Sequence, residues 1–353
     1  MTAKKETVKV DNEVNELVVK AKKALDAFLE LDQEQVDYIV AKASVAALDQ
    51  HGTLALSAVK ETGRGVFEDK ATKNLFACEH VINHMRHLKT VGVVEEDEVL
   101  GITKIADPVG VICGITPVTN PTSTTIFKSL ISLKTRNPII FSFHPSAQQC
   151  SIEAAKVVYD AAVAAGAPKD CILWIERGSK EKTDQLMKHE DVATILATGG
   201  NAMVRAAYSC GKPALGVGAG NVPSYIESSA DLDQAVNDIA MSKAFDNGMI
   251  CACESVAFID AEVYDTVIDK FKAYHVAFLN KADTKKLETF MFGTGVLNPN
   301  IVGKDAQWIA KEADIKIPES AKVIGVEIKT VGEKVLLSKE KLSPVLAVMK
   351  VKD

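Results

Sequence analysis

Up to about residue 90 the apolar side chains recur at helical spacing. Val14, Leu17, Val18, Ala21, Leu25 and Phe28 lie three or four residues apart and draw one apolar stripe. Asp32 followed by Gln35 is a capping-box pattern, and Val36, Ile39 and Val40 open the next stripe. Residues 60–88 read as a further helix with mixed charges on its outer face. Beyond them the texture changes. Four short apolar runs, at 109–115, 138–143, 171–175 and 194–198, alternate with helical stretches at 123–134, 146–165 and 179–188. Buried parallel strands joined by crossover helices produce this pattern, so the predicted fold class is α/β. Between 213 and 255 Gly-rich loops flank one helix, and a new strand starts at Ser255. The domain change is predicted near residue 215, giving 1–215 and 216–353.

Composition narrows the function. The 353 residues carry 41 basic and 47 acidic side chains, a net charge of -6, which speaks against the clustered cations of a nucleic-acid binder. No apolar run is long enough to span a membrane, and residues 1–13 lack the apolar core of a secretory signal. The seven cysteines are odd in number and scattered, which fits reduced thiols and a cytoplasmic location.

Cys251 stands in FDNGMICACE, residues 245–254, between a helical run and a strand. Partial exposure and nearby backbone amides would favour its thiolate, whereas a buried structural cysteine is the commoner fate of the residue. Cys253, two residues on, would share a face with Cys251 on a strand, or simply fill space. The pair lacks further ligands at metal spacing, so no metal is expected. Asn120 follows the 109–115 strand, where an amide can serve an oxyanion or simply turn the chain before Pro121. Thr198, Gly199 and Gly200 end a strand and open a helix, a junction suited to a pyrophosphate or merely a tight turn. Glu340, taken alone, reads as a surface charge.

In their order along the chain these motifs resemble the aldehyde dehydrogenase superfamily, and most closely its CoA-acylating branch. The carrying stretches are NPTSTTIFKSLISLKTRN (120–137), AGAPKD (165–170), ILATGG (195–200), GKPALGVGAGN (211–221), SKAFDNGMICACE (242–254) and EKLSP (340–344). The resemblance implies a Rossmann-type cofactor domain and an α/β catalytic domain, with part of an oligomerisation flap near 95–110. It implies Cys251 as nucleophile and Asn120 as oxyanion donor. Thr198, Gly199 and Gly200 fall at the cofactor-phosphate turn and Glu340 on the nicotinamide ribose. Pro117, Ser142, His144 and Gly218 fall along the same cofactor site, with His144 standing in for a lysine that grips the adenosine ribose in many relatives. The implied cofactor is NAD(H), with coenzyme A as co-substrate.

One departure alters the implied chemistry. Hydrolytic members carry a glutamate 34 residues before the cysteine, and Val217 occupies that position here. Without this base water loses general-base assistance, typically worth roughly 10²–10⁴-fold, and a thiol acceptor becomes the natural one. The implied reaction is therefore reversible reduction of acyl-CoA, acetyl-CoA foremost, to aldehyde, of the kind used in ethanol fermentation. The resemblance further implies a homo-oligomer, a catalytic domain that continues past Asp353, and an iron-dependent alcohol dehydrogenase domain as a fused partner in some relatives. Two other readings stand beside it: a hydrolytic aldehyde dehydrogenase, and an inactive chain that binds cofactor or assembles with longer subunits.

Overall fold

The structure, a computed structural model, describes residues 12–352. These residues form two compact units: 12–62 with 70–218, and 63–69 with 219–352.

The first unit opens with helices α1 (Asn12–Leu29), α2 (Gln33–Asp49) and α3 (His51–Thr62). The stripe on α1 is realised, since Val14, Val18, Ala21 and Phe28 are buried. The capping box also forms: Asp32 Oδ1 accepts the Gln35 amide and Gln35 Oε1 accepts the Asp32 amide. The helix expected across 60–88 is broken. It divides into the end of α3, α4 (Phe67–Cys78) and α5 (His80–Met85). At 63–66 the backbone amides leave the helical ladder: Gly65 N–H donates to Gly303 O and Val66 N–H to Asp246 Oδ1. Tertiary partners override the apolar spacing there, and they assign 63–69 to the second unit.

Strands β1 (Gly92–Asp97) and β2 (Ile102–Ala106) pair as an antiparallel hairpin with Val99, Leu100 and Ile105 exposed. The remaining elements alternate: β3 (Val111–Ile115), α6 (Pro121–Lys134), β4 (Ile139–Ser142), α7 (Gln148–Ala164), β5 (Ile172–Trp174), α8 (Lys180–Lys188), β6 (Val192–Thr198), α9 (Asn201–Tyr208) and β7 (Ala214–Val217). The strands form one parallel sheet in the order β5-β4-β3-β6-β7. Successive residues face opposite cores. Ile112, Ile139 and Phe141 join α2, α6 and α7, while Cys113, Ile140 and Ile195 join α1, α8 and α9.

The second unit repeats this plan. It comprises β8 (Val222–Ile226), α10 (Leu232–Ala244), β9 (Glu254–Asp260), α11 (Tyr264–Ala273), β10 (Val276–Phe278), α12 (Lys281–Phe292), α13 (Ala306–Glu312), β11 (Val323–Glu327) and β12 (Val345–Val351). Its parallel sheet runs β10-β11-β12-β9-β8, with α12 and α13 on one face and α10 and α11 on the other. Gly-rich loops were expected between 213 and 255, yet β7 and β8 occupy part of that stretch, each short and half exposed. Among the described residues no helix is long and apolar enough to cross a membrane.

Candidate active site

In the first unit the expected cofactor residues gather at one edge of the sheet. Pro117 follows β3, Ser142 ends β4 and His144 follows it, Thr198 ends β6, and Gly218 follows β7. All lie at the carboxyl ends of parallel strands, where open α/β sheets bind ligands, and the strand order reverses between β3 and β6. Thr198 pairs with Val217, and the Gly199 amide donates to Val217 O at 3.1 Å. Gly200 caps α9 without a side chain, and a Cβ on Gly200 would meet nothing within 4 Å. Gly200 thus adds no capping side chain at the start of α9, and the space a side chain there would fill is open. Such an end suits a pyrophosphate, so the residues present fit the dinucleotide the resemblance implies. A Cβ on Gly218 would come within 2.8 Å of Asn201 Oδ1, which ties this glycine to the same helix end.

Two of the expected residues are engaged within the protein. Ser142 is buried and its hydroxyl hydrogen-bonds Thr183 Oγ1 at 2.6 Å. His144 is exposed, and its Nδ1 accepts the Ser146 amide at 3.1 Å, capping the short turn Pro145–Ala147. Asn120 occupies the N-cap of α6, yet its side chain makes no capping bond. Asn120 thus turns the chain into α6 while its side-chain amide is not consumed by a capping bond.

Lys128 was not singled out from sequence. Its Nζ, deep in the first unit, donates to Ile115 O at 2.6 Å and Leu196 O at 2.7 Å, stapling β3 to β6 where the strand order reverses. Burial lowers its pKa from 10.5 to about 7. A neutral amine still has the N–H bonds both carbonyls require. A lysine within an otherwise apolar and hydroxylic helix, NPTSTTIFKSL, was the available signal.

In the second unit Cys251 is exposed, on the turn between α10 and β9. Cys253 is buried, so the two cysteines do not share the face of a strand. They lie in a turn because the chain just before them is left-handed: Asp246 has φ 49°, Asn247 φ 53° and Gly248 φ 65°. Consecutive left-handed residues are costly for L-amino acids unless their surroundings hold them. Here they are held. The Asp246 amide donates to Asp69 Oδ2 at 2.7 Å, Asp246 Oδ1 accepts the Val66 amide at 2.8 Å, and Asn247 Nδ2 donates to Gly303 O at 3.0 Å. Only glycine fits at 248, since a Cβ there would lie 2.4 Å from Ser343 O.

Glu340 is half buried rather than a solvated charge. Its Oε1 accepts the Gly220 amide at 2.9 Å, and burial pushes its carboxyl above the usual range. Gly220 also packs on the turn that carries Cys251, where a Cβ would lie 2.1 Å from Cys251 O. Cys251, Gly220 and Glu340 are thus brought together at the amino-terminal edge of the β8, β9 and β12 sheet. None of the seven cysteines is in a disulfide.

Residues 4–314 match the aldehyde dehydrogenase family. The chain belongs to that family. It is 60% identical over 356 residues to aldehyde-alcohol dehydrogenase 2 of Entamoeba histolytica, covering 98% of this chain and 41% of that protein. Among solved structures it is similar to an acetylating aldehyde dehydrogenase from Geobacillus thermoglucosidasius. That match has a TM-score of 0.94 and 46% identity, with 97% of this chain and 75% of the other covered. It is also similar to a propionaldehyde dehydrogenase from Rhodopseudomonas palustris with bound CoA and an acylated cysteine. There the TM-score is 0.85 at 30% identity, covering 96% of this chain and 77% of the other. The chain spans about two-fifths of the length of the first curated relatives it matches.

Proposed function

We propose that this chain performs the acyl-transfer and reduction steps of a CoA-acylating aldehyde dehydrogenase, reducing acyl-CoA, acetyl-CoA foremost, to aldehyde with NADH. The observation that carries the reading is the setting of Cys251, an exposed thiol three residues after a left-handed stretch held by three hydrogen bonds that reach other segments of its unit. A reactive thiol needs access and a fixed attack geometry, and this turn supplies both.

In the reductive direction the Cys251 thiolate attacks the thioester carbonyl of acyl-CoA, and the CoA thiolate leaves. The Asn120 amide, uncommitted to its own helix, is the proposed donor to the tetrahedral oxyanion. One such donor is commonly worth about 3 kcal/mol because the charge it meets develops only on the way to the intermediate. Hydride supply to the enzyme thioester is the chemistry a bound nicotinamide provides. Collapse of the resulting thiohemiacetal releases aldehyde and restores Cys251. The proposed roles of the chain are then distributed: Thr198, Gly199, Gly200 and Gly218 at the pyrophosphate, Glu340 on the nicotinamide ribose, and Pro117, Ser142 and His144 bordering the cofactor. Ser142 would contribute through its backbone, since its hydroxyl is occupied.

Val217 supports CoA over water as acceptor. It lies beside Thr198 at the end of β7, and its side chain has no group to deprotonate water. The exposed apolar hairpin β1-β2 is the proposed surface for assembly with further copies, and unbridged cysteines suit the proposed cytoplasmic setting.

The test is NADH oxidation by the purified chain with acetyl-CoA, with NADPH alongside and Cys251→Ser as control. Acid formation from aldehyde and NAD without CoA separates the hydrolytic reading. Inactivity, combined with tight association with a longer relative, would sink the enzymatic reading for this polypeptide.

A further inference from the structure

Beneath the turn that carries Cys251 the second unit buries a cluster of charge that the acyl-transfer scheme does not use. Lys243 lies in the last turn of α10 with its side chain fully buried. Its Nζ donates to Cys253 Sγ at 3.5 Å, its one hydrogen-bond partner among the described residues. Cys253 Sγ donates in turn to Gly248 O at 3.3 Å, so the lysine is tied through a single thiol to the left-handed stretch.

Lys341, equally buried, has a different setting. Its Nζ donates to Ser255 O, Leu337 O and Lys339 O at 3.0, 2.8 and 2.9 Å. Three carbonyls match the three N–H bonds of an ammonium. Two carboxylates share the space. Glu340 is held by Gly220, and Glu254 Oε2 is buried with no hydrogen-bond partner among the described residues. Burial lowers the proton affinity of Lys243, while Cys253, Glu254 and Glu340 oppose that effect. Lys341 is lowered by burial and by the charge of Lys243. Two amines and two carboxyl groups thus gather about the Cys253 thiol.

A buried charge is costly unless compensated, and removing one member of a balanced set leaves the others exposed to that cost. Lys243 has a sulfur where Lys341 has three oxygens. What favours the charged form of Lys243 is therefore less a set of hydrogen bonds than its neighbours Cys253, Glu254 and Glu340, which partly offset the cost of burial.

We infer that Lys243 is a positioning residue for the acyl-transfer reaction: it holds Cys253 against Gly248 and sets a positive charge under the turn carrying Cys251. The inference rests on Cys251 being the nucleophile. The positive charge favours the thiolate of Cys251, the form that attacks a thioester.

The experiment measures the pH dependence of Cys251 alkylation by iodoacetamide in the purified chain, with mass spectrometry assigning the modified cysteine. Lys243→Met leaves two carboxylates facing one ammonium. The expected result is alkylation about tenfold slower at pH 7, with the profile displaced about one unit toward alkaline pH. Lys243→Met combined with Glu254→Gln restores the balance and returns most of that shift. Glu254→Gln alone, which keeps the lysine, displaces the profile the other way. Cys253→Ser, which preserves an acceptor for Lys243, stays nearer the parent profile than Cys253→Ala. An unmoved profile in folded Lys243→Met, with only a lower melting temperature, reduces the lysine to scaffold and overturns the proposal. If that variant does not fold, an unmoved profile in Glu254→Gln overturns it instead. The nucleophile assignment fails separately, through acetyl-CoA-dependent NADH oxidation that survives Cys251→Ser.

Discussion

The Gly220 amide donates to Glu340 Oε1 at 2.9 Å, and the missing side chain of the same glycine is what lets Cys251 O approach it. One residue thus links the carboxylate loop to the turn that carries Cys251: its N–H holds one and its bare Cα admits the other. An alanine Cβ at 220 would stand 2.1 Å from Cys251 O, a backbone atom that cannot swing away as a side chain would. Gly220→Ala is therefore expected to displace the turn, at a cost of about 1–3 kcal/mol in stability. Iodoacetamide labelling of Cys251 and thermal unfolding check it together, and an unchanged labelling rate would contradict the close approach.

Glu340→Gln retains an oxygen acceptor for Gly220 and removes the charge. If Glu340 binds a ribose hydroxyl, loss of a charged acceptor should weaken NADH binding by about 1.5–3 kcal/mol. Burial raises the carboxyl of Glu340 above 4.5. Between 4.5 and that raised value the folded chain holds a proton the unfolded chain has released, so stability falls as pH rises through the window. Glu340→Gln should lack that fall. NADH fluorescence titration and acid-range unfolding curves are the two readouts.

The sequence made the α/β alternation, the strands of the first sheet and the Asp32 cap legible because each is local: apolar runs of strand length, helical spacing, a side chain three residues from its partner. The helix break at 63–66 was not legible. Its cause is a set of partners at 246 and 303, and no local pattern reports where a distant acceptor will stand. Cys251 and Glu340 were recognisable through motif order and not through their own neighbourhoods. Lys128, Lys243 and Lys341 escaped notice because a lysine on a helix or turn is ordinarily solvated, and only the fold shows their amines enclosed.

Asp246 tests whether the left-handed turn depends on its clamps. Asp246→Ala loses the acceptor for Val66 N–H and puts a side chain with no polar partner into a left-handed conformation. A cost of about 2–4 kcal/mol is expected from the two effects together. Labelling of Cys251 should change along with the melting temperature, because the clamp and the thiol belong to one turn. Stability lost without any change in labelling would show that the turn keeps its shape unaided.

Lys128 offers a pH signature in the first unit. An ordinary lysine holds its proton to 10.5, whereas burial brings Lys128 down to about 7. Between about 7 and 10.5 the unfolded chain therefore binds one more proton than the folded chain at this site. By linkage the stability contribution rises with pH across that window, is complete above 10.5 and is absent below about 7. Lys128→Met should flatten this rise and also orphan the carbonyls of Ile115 and Leu196, at a cost of about 2 kcal/mol or more. Denaturant unfolding of the parent and Lys128→Met chains at pH 7, 8 and 9 would decide the matter. A constant difference between the two over that range would mean the buried amine keeps its proton throughout, held by the two carbonyls it staples.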